Sequence, residues 1–227
     1  MAHACGATYG LFDDETKPYM GRSGGELWSQ ANYETRPSND YVGGFQWLCA
    51  TTVKPNDLFG VAMTRPDLFG KALDAFLVRA SHHIGNATFL GHDVPVKENR
   101  VSLSEHKDKN GMRLAQVVHN LSDNSKALKA AGLKLGQDIM KAAGATTIWT
   151  NPNVNQHIMG GVIMGNDRKA SVTDSYGFTH DVANLVVLGS SLYPTSGAVN
   201  PTFTLHALTL RTADYLISHW GRLPKSA

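Results

Sequence analysis

Two short stretches hold side chains whose types and spacing could do chemistry. The first is Asn155-Gln156-His157-Ile158-Met159-Gly160, just after the turn-rich residues 151–155. An imidazole titrates near neutrality, so His157 could take a proton and return it. The second runs from Gly189-Ser190-Ser191 through Gly197 to Asn200-Pro201-Thr202. Gly189 and the serines let a chain pass close to a ligand without a bulky side chain interfering. Asn200-Pro201-Thr202 predicts a helix start, with an Asx cap and proline at the first helical position. A turn leading into a helix N-terminus can present N–H groups and a positive dipole end to an anionic ligand. Asn200 cannot act as a base, but its amide can donate and accept hydrogen bonds.

Taken singly, neither residue is distinctive. The chain has ten histidines, so His157 alone reads as a structural or surface residue and Asn200 alone as a helix cap. His82-His83 invites a metal reading, but adjacent helical positions diverge by about 100° and no carboxylate cluster accompanies them. That pair reads as a solvated helix end, and His206 as a packed or partly buried side chain.

The elements that must position these residues come next. Residues 185–188 (Leu-Val-Val-Leu) form an uninterrupted apolar run, as expected of a strand buried on both faces. From Phe203, apolar Leu205, Leu208, Ala213, Leu216 and Ile217 recur at helical spacing. Residues 122–144 predict the clearest helix, with Leu128, Ala131, Leu135 and Ile139 on one face and Gly144 at its end. Residues 66–83 predict an amphipathic helix through Leu68, Leu73, Phe76, Leu77 and Ala80. Strands are expected over 43–53, 88–94, 100–103, 114–119 and 146–149. Residues 1–37 are polar and weakly periodic, with Gly21, Gly24 and Gly25 marking loops. Strands gathered between helices predict an antiparallel sheet backed by helices on one face.

Bulk properties exclude several classes. The chain has 227 residues, enough for one large domain or two modest ones. A net charge of +2 and 18% charged residues point to neither nucleic acid nor an anionic membrane. Cys5 and Cys49 make neither a disulfide framework nor a thiolate metal site, and leave a single disulfide open. No apolar run approaches the roughly 18 residues of a membrane span. The first residues lack the basic-then-apolar layout of a secretory signal. These features predict a cytoplasmic protein, or one exported attached to a signal-bearing partner.

Read together, the motifs resemble those of the glucose–methanol–choline (GMC) flavin oxidoreductases. The C-terminal signature of that family runs strand, D-A-S, F-P-T, G, N-P-T, A-L-A, R-T-A-D. Here it reads Gly189-Ser190-Ser191, Tyr193-Pro194-Thr195, Gly197, Asn200-Pro201-Thr202, Ala207-Leu208 and Arg211-Thr212-Ala213-Asp214. Upstream, Pro95, Asn99-Arg100-Val101, Leu103, Asp108, Gly111-Met112 and Ala142-Ala143-Gly144-Ala145 are similar to the family's middle section. Met1-Ala2-His3 resembles the M-x-H-P that opens its substrate-domain half. His157-Ile158-Met159-Gly160-Gly161-Val162-Ile163-Met164-Gly165 stands where the family has H-x-M-G-T-T-R-M-G.

The resemblance implies an α+β fold. Residues 1–155 would be a substrate domain, an antiparallel sheet backed by helices. Residues 156–227 would be a C-terminal strand and helix completing a Rossmann-like FAD domain supplied mostly by another chain. It makes His157 and Asn200 a catalytic pair at the flavin, with Gly189, Ser190, Asn200, Pro201 and Thr202 contacting FAD. The implied reaction oxidises an alcohol, in a sugar, polyol or sugar acid, by hydride transfer to flavin N5.

The family's G-x-G-x-x-G diphosphate turn is missing from the sequence, since Gly21-Arg22-Ser23-Gly24-Gly25 lacks its spacing. This implies a split enzyme whose companion chain carries the N-terminal FAD-binding half; a truncated piece of a longer chain would read the same. Two departures stand out. T-T-R is replaced by Gly161-Val162-Ile163, and the aspartate of D-A-S by Gly189. They leave a second reading, a non-catalytic scaffold that stabilises an active flavoprotein partner.

Overall fold

In the computed structural model, residues 1–21, 27–154 and 157–222 are described. Arg22 to Gly25, Asn155 and Gln156 lie outside them, as does the boundary expected between residues 155 and 156. The chain divides into two compact units, one comprising Ala4–His92 and Asp123–Asn155, the other Met1–His3, Asp93–Ser122 and Gln156–Ala227.

The first unit is built on a five-stranded antiparallel sheet. Its strands are β1 (Gly6–Leu11), β2 (Leu27–Asn32), β3 (Phe45–Cys49), β4 (Ile84–Gly91) and, from later in the chain, β7 (Thr147–Asn151). They lie in the order β2-β3-β4-β1-β7, each pair antiparallel. Three helices belong to the unit: α1 (Asp57–Ala62), α2 (Lys71–His83) and α3 (Asp123–Ala142).

Side chains alternate across β1, and the alternation decides which helix covers which face. Thr8 meets Gly136 of α3, and Gly6 and Gly10 lie against Leu133 and Ala145. Phe45, Trp47, Phe89 and Leu128 fill this layer. Each such side chain contributes about 1.5–3 kcal/mol by leaving water. Tyr9 and Leu11 point the other way, into a second cluster with Phe76 and Ala80 of α2 and Val61 of α1. Helices therefore cover both faces, not the single face expected, because the α1–α2 pair needs its own apolar surface.

β1 and β2 form where polar, loop-like chain was expected. The glycines of β1 hide it: a Cβ at Gly6 would come within 2.7 Å of Leu133, and one at Gly10 within 2.7 Å of Ala145. Close approach of α3 demands those glycines, and they lower the apparent strand propensity. The helix expected from residue 66 begins only at Lys71, after Gly70 takes a positive φ of 56°. Cys5 and Cys49 are both free thiols. No helix among the described residues is long and apolar enough to cross a membrane.

The second unit carries a two-stranded hairpin, β5 (Arg100–Lys107) and β6 (Arg113–Val118). Asp108 closes its turn, its Oδ1 accepting the N–H groups of Asn110 and Met112. Gly111 supplies the positive φ, 81°, that the turn requires. The unit ends in α4 (Thr202–His219), whose buried Thr212 donates to the Tyr176 carbonyl at 3.0 Å.

The strand expected at residues 185–188 does not form as a buried parallel strand. Val186 makes one antiparallel bridge, to Phe178, and Leu185 and Leu188 are exposed. Among the described residues no parallel strand lies beside this run, and only Val186 and Val187 are partly buried.

Candidate functional site

His157 sits on backbone that few side chains tolerate. Its φ is +57°, and Gly160 and Gly161 follow at +79° and +102°. The left-handed region costs a non-glycine residue roughly 1–2 kcal/mol and persists only where surrounding contacts enforce it. Here they do. Met1 and Met159 exchange two backbone hydrogen bonds, each 2.9 Å. The ladder continues from Gly160 N–H to Ser190 O at 2.9 Å, Val162 N–H to Ser191 O at 3.0 Å and Met164 N–H to Leu192 O at 2.9 Å. These three bonds tie the His157 motif to the Gly189–Leu192 motif, two segments whose association only the resemblance had indicated.

The imidazole is half-buried, and burial pushes its pKa below the ordinary histidine value. Its Nδ1 lies 3.0 Å from Nδ1 of His3, with the rings edge-on at 83°. His3 is only 2% exposed. Neighbouring Ala2 donates its N–H to Asp93 Oδ2 at 3.2 Å. The Asp93 carboxylate, 1% exposed, lies 3.8 Å from His119 Nε2. Ser196 Oγ accepts the N–H of Asp93 at 2.9 Å. A buried polar framework thus holds the first residues of the chain beside His157. Sequence reasoning assigned no role to His3, Asp93 or Ser196; the only signal was the M-x-H opening.

Gly189 has φ +106°, and open space lies where a Cβ would be. Ser190 begins a short 3-10 turn, Ser190–Leu192. Tyr193 follows, its hydroxyl donating to Pro201 O at 3.1 Å, which joins this turn to the start of α4. The cap differs from expectation. Pro201 is the N-cap residue, no side chain caps the helix, and Thr202 is its first residue. Asn200 is therefore one position outside the helix, exposed, and its carboxamide is not spent on capping. No hydrogen bond joins the Asn200 and His157 side chains. His206 is exposed rather than packed. At the end of α2, His82 contacts Glu15 Oε1 at 3.1 Å and His83 the Asp14 carbonyl at 3.0 Å. Among the described residues no cluster could hold a metal ion.

These residues fit one edge of a flavin. The open backbone at Gly161, Gly189 and Gly197 leaves room for a planar group. The first N–H groups of α4 lack intrahelical partners and place a positive dipole end there. Gly189, Ser190, Asn200, Pro201 and Thr202 would hold that edge.

A loop bearing a half-buried imidazole is thus joined to an open glycine turn and, through Tyr193, to a helix N-terminus. The family model described as GMC oxidoreductase, for the C-terminal domain, matches residues 95–209. The chain belongs to the GMC oxidoreductase family, whose members are flavoproteins. It is 34% identical over 213 residues to a 2-methyl-1,2-propanediol dehydrogenase of Mycolicibacterium austroafricanum, covering 87% of this chain and 37% of that protein. It is 35% identical over 167 residues to the fructose dehydrogenase large subunit of Gluconobacter japonicus, covering 72% and 30%. With the gluconate 2-dehydrogenase flavoprotein of Pantoea cypripedii it shares 26% over 234 residues, covering 94% and 38%. The chain spans about a third of the length of these relatives.

Proposed function

We propose that this chain is the C-terminal part of an FAD-dependent oxidoreductase that oxidises an alcohol group in a sugar, polyol or sugar acid. Residues 1–155 act as the substrate domain and 156–227 as the end of a Rossmann-like FAD domain. A companion chain carries the N-terminal FAD-binding half. The carrying observation is the three-bond backbone ladder that unites the His157 loop with the Ser190–Leu192 turn. The relatives named for fructose and gluconate support the substrate class, and the words "large subunit" support a multi-chain assembly.

Bound flavin supplies the acceptor for the hydride that leaves the carbinol carbon. The rest falls to this chain. Nε2 of neutral His157 takes the hydroxyl proton as hydride leaves, and returns it to solvent in the second half of the cycle. The exposed Asn200 amide donates an N–H to the alkoxide oxygen and fixes its orientation. The α4 N-terminus would favour negative charge on a group bound beside it.

Exposed apolar residues on α4 support a companion. Phe203, Leu210 and Ile217 recur every seven residues on one face, and are 89%, 65% and 78% exposed. A stripe of this kind marks an interface. Co-expression with the neighbouring reading frame tests the proposal. A purified yellow complex with a flavin absorption band supports it, and a colourless chain with no retained partner refutes it.

The second reading, a non-catalytic scaffold, is favoured by one observation. Gly161-Val162-Ile163 puts no hydroxyl or charge beside His157, where the family pattern has T-T-R. A companion that turns over at full rate without this chain would establish it.

A further inference from the structure

We propose that His3 is a positioning residue for His157: its Nδ1 accepts a hydrogen bond from Nδ1–H of His157, leaving Nε2 of His157 as the proton-accepting atom. The inference rests on the reading of His157 as base. Two neutral imidazoles that meet Nδ1 to Nδ1 at 3.0 Å share one proton between those atoms, so one ring donates and the other accepts. If His157 is to receive a proton at Nε2, its own proton must sit on Nδ1, and His3 must be the acceptor. When Nε2 of His157 gains the substrate hydroxyl proton, the same contact becomes a charge-assisted hydrogen bond to the new imidazolium. No proton leaves Nδ1 and the balance is complete: one proton arrives at Nε2 and is later given back. His3 then acts on the base as a third group acts in nucleophile–base arrangements.

Three structural facts make the contact a built one. His3 is nearly fully buried, so its ring cannot wander. Met1 and Met159 bracket the pair through reciprocal backbone hydrogen bonds. The His157 backbone is left-handed, and its ring stands edge-on to His3. The other titratable groups on the packed segments are engaged elsewhere. Asp93 accepts from Ala2 N–H and faces His119, and the Tyr193 hydroxyl donates to Pro201 O. None of them replaces His3 at Nδ1 of His157.

The test reads tautomers directly, by 15N-detected imidazole NMR of the full chain in its flavin-bearing assembly. The wild-type protein is expected to show His157 protonated at Nδ1; protonation at Nε2 would overturn the proposal, and this reading needs no variant. His3→Leu removes the acceptor without opening a cavity. The His157 pKa should fall further and the Nδ1 tautomer preference should vanish. His3→Asn places a carboxamide oxygen near the same position and should restore both. In flavin reduction by substrate, His3→Leu should lose about 10–100-fold, as is usual when an orienting partner is removed, and shift the pH profile to lower pH. His3→Asn should recover most of the rate. An unchanged His157 tautomer and pH profile in His3→Leu would refute the pairing whatever His157 does. The expected NMR shifts together with full activity of His157→Ala would instead refute the catalytic reading and leave the pairing intact.

Discussion

His3 and His157 stand 154 positions apart in the chain, yet their Nδ1 atoms meet at 3.0 Å. One ring is buried and fixed; the other is half-buried with its second nitrogen available. That relationship separates the pair from the other eight histidines more sharply than the sequence context of His157 does.

The first prediction concerns pH. Burial lowers the folded-state pKa of His157, so the rate of flavin reduction should rise with pH and level off below the usual imidazole value of about 6.5. Stability has the matching sign. Between its folded and unfolded pKa values the unfolded chain binds the extra proton, so the contribution of His157 is present above pH about 6.5 and is lost as pH falls through the folded value. Stopped-flow reduction traces and denaturant midpoints between pH 5 and 8 check both. A rate profile levelling off above the usual imidazole pKa would contradict the reading.

The second concerns α4. Phe203→Asp combined with Ile217→Asp should abolish co-purification with the flavin-bearing companion. The folded stability of the chain itself should change by no more than about 0.5 kcal/mol, because both side chains are exposed. Pull-down and thermal melts measure the two effects separately. Retained association would place the companion elsewhere.

The third concerns the sheet–helix seam. A Cβ at Gly132 would lie 2.6 Å from the Phe89 ring, which packs on Phe45 and Trp47. Gly132→Val should therefore cost about 1–3 kcal/mol by overpacking. Gly60, inside α1 with open space around it, should behave oppositely. Gly60→Ala should stabilise by up to about 1 kcal/mol through helix propensity. Urea midpoints for the two variants give the signs.

Much of this architecture is legible in the sequence. The periodic apolar faces of α2 and α3 depend on local spacing, which a single chain displays. β1 was not legible, because Gly6 and Gly10 answer to Leu133 and Ala145 far along the chain. The run at 185–188 reads as a buried strand on composition, but burial needs neighbours that composition cannot supply. The site divides in the same way. His157 and Asn200 come from motifs, whereas His3, Asp93 and Ser196 enter through contacts that span 91 to 154 positions.

The most direct measurement is the single-turnover rate of flavin reduction by substrate in the assembled enzyme carrying His157→Ala. The flavin spectrum should stay as in wild type, since His157 is a base and not an anchor for the cofactor. Reduction should slow by about 10²–10⁴-fold, the usual contribution of a positioned general base. Reduction at the wild-type rate with flavin still bound would remove His157 from the chemistry and with it the role proposed for this chain.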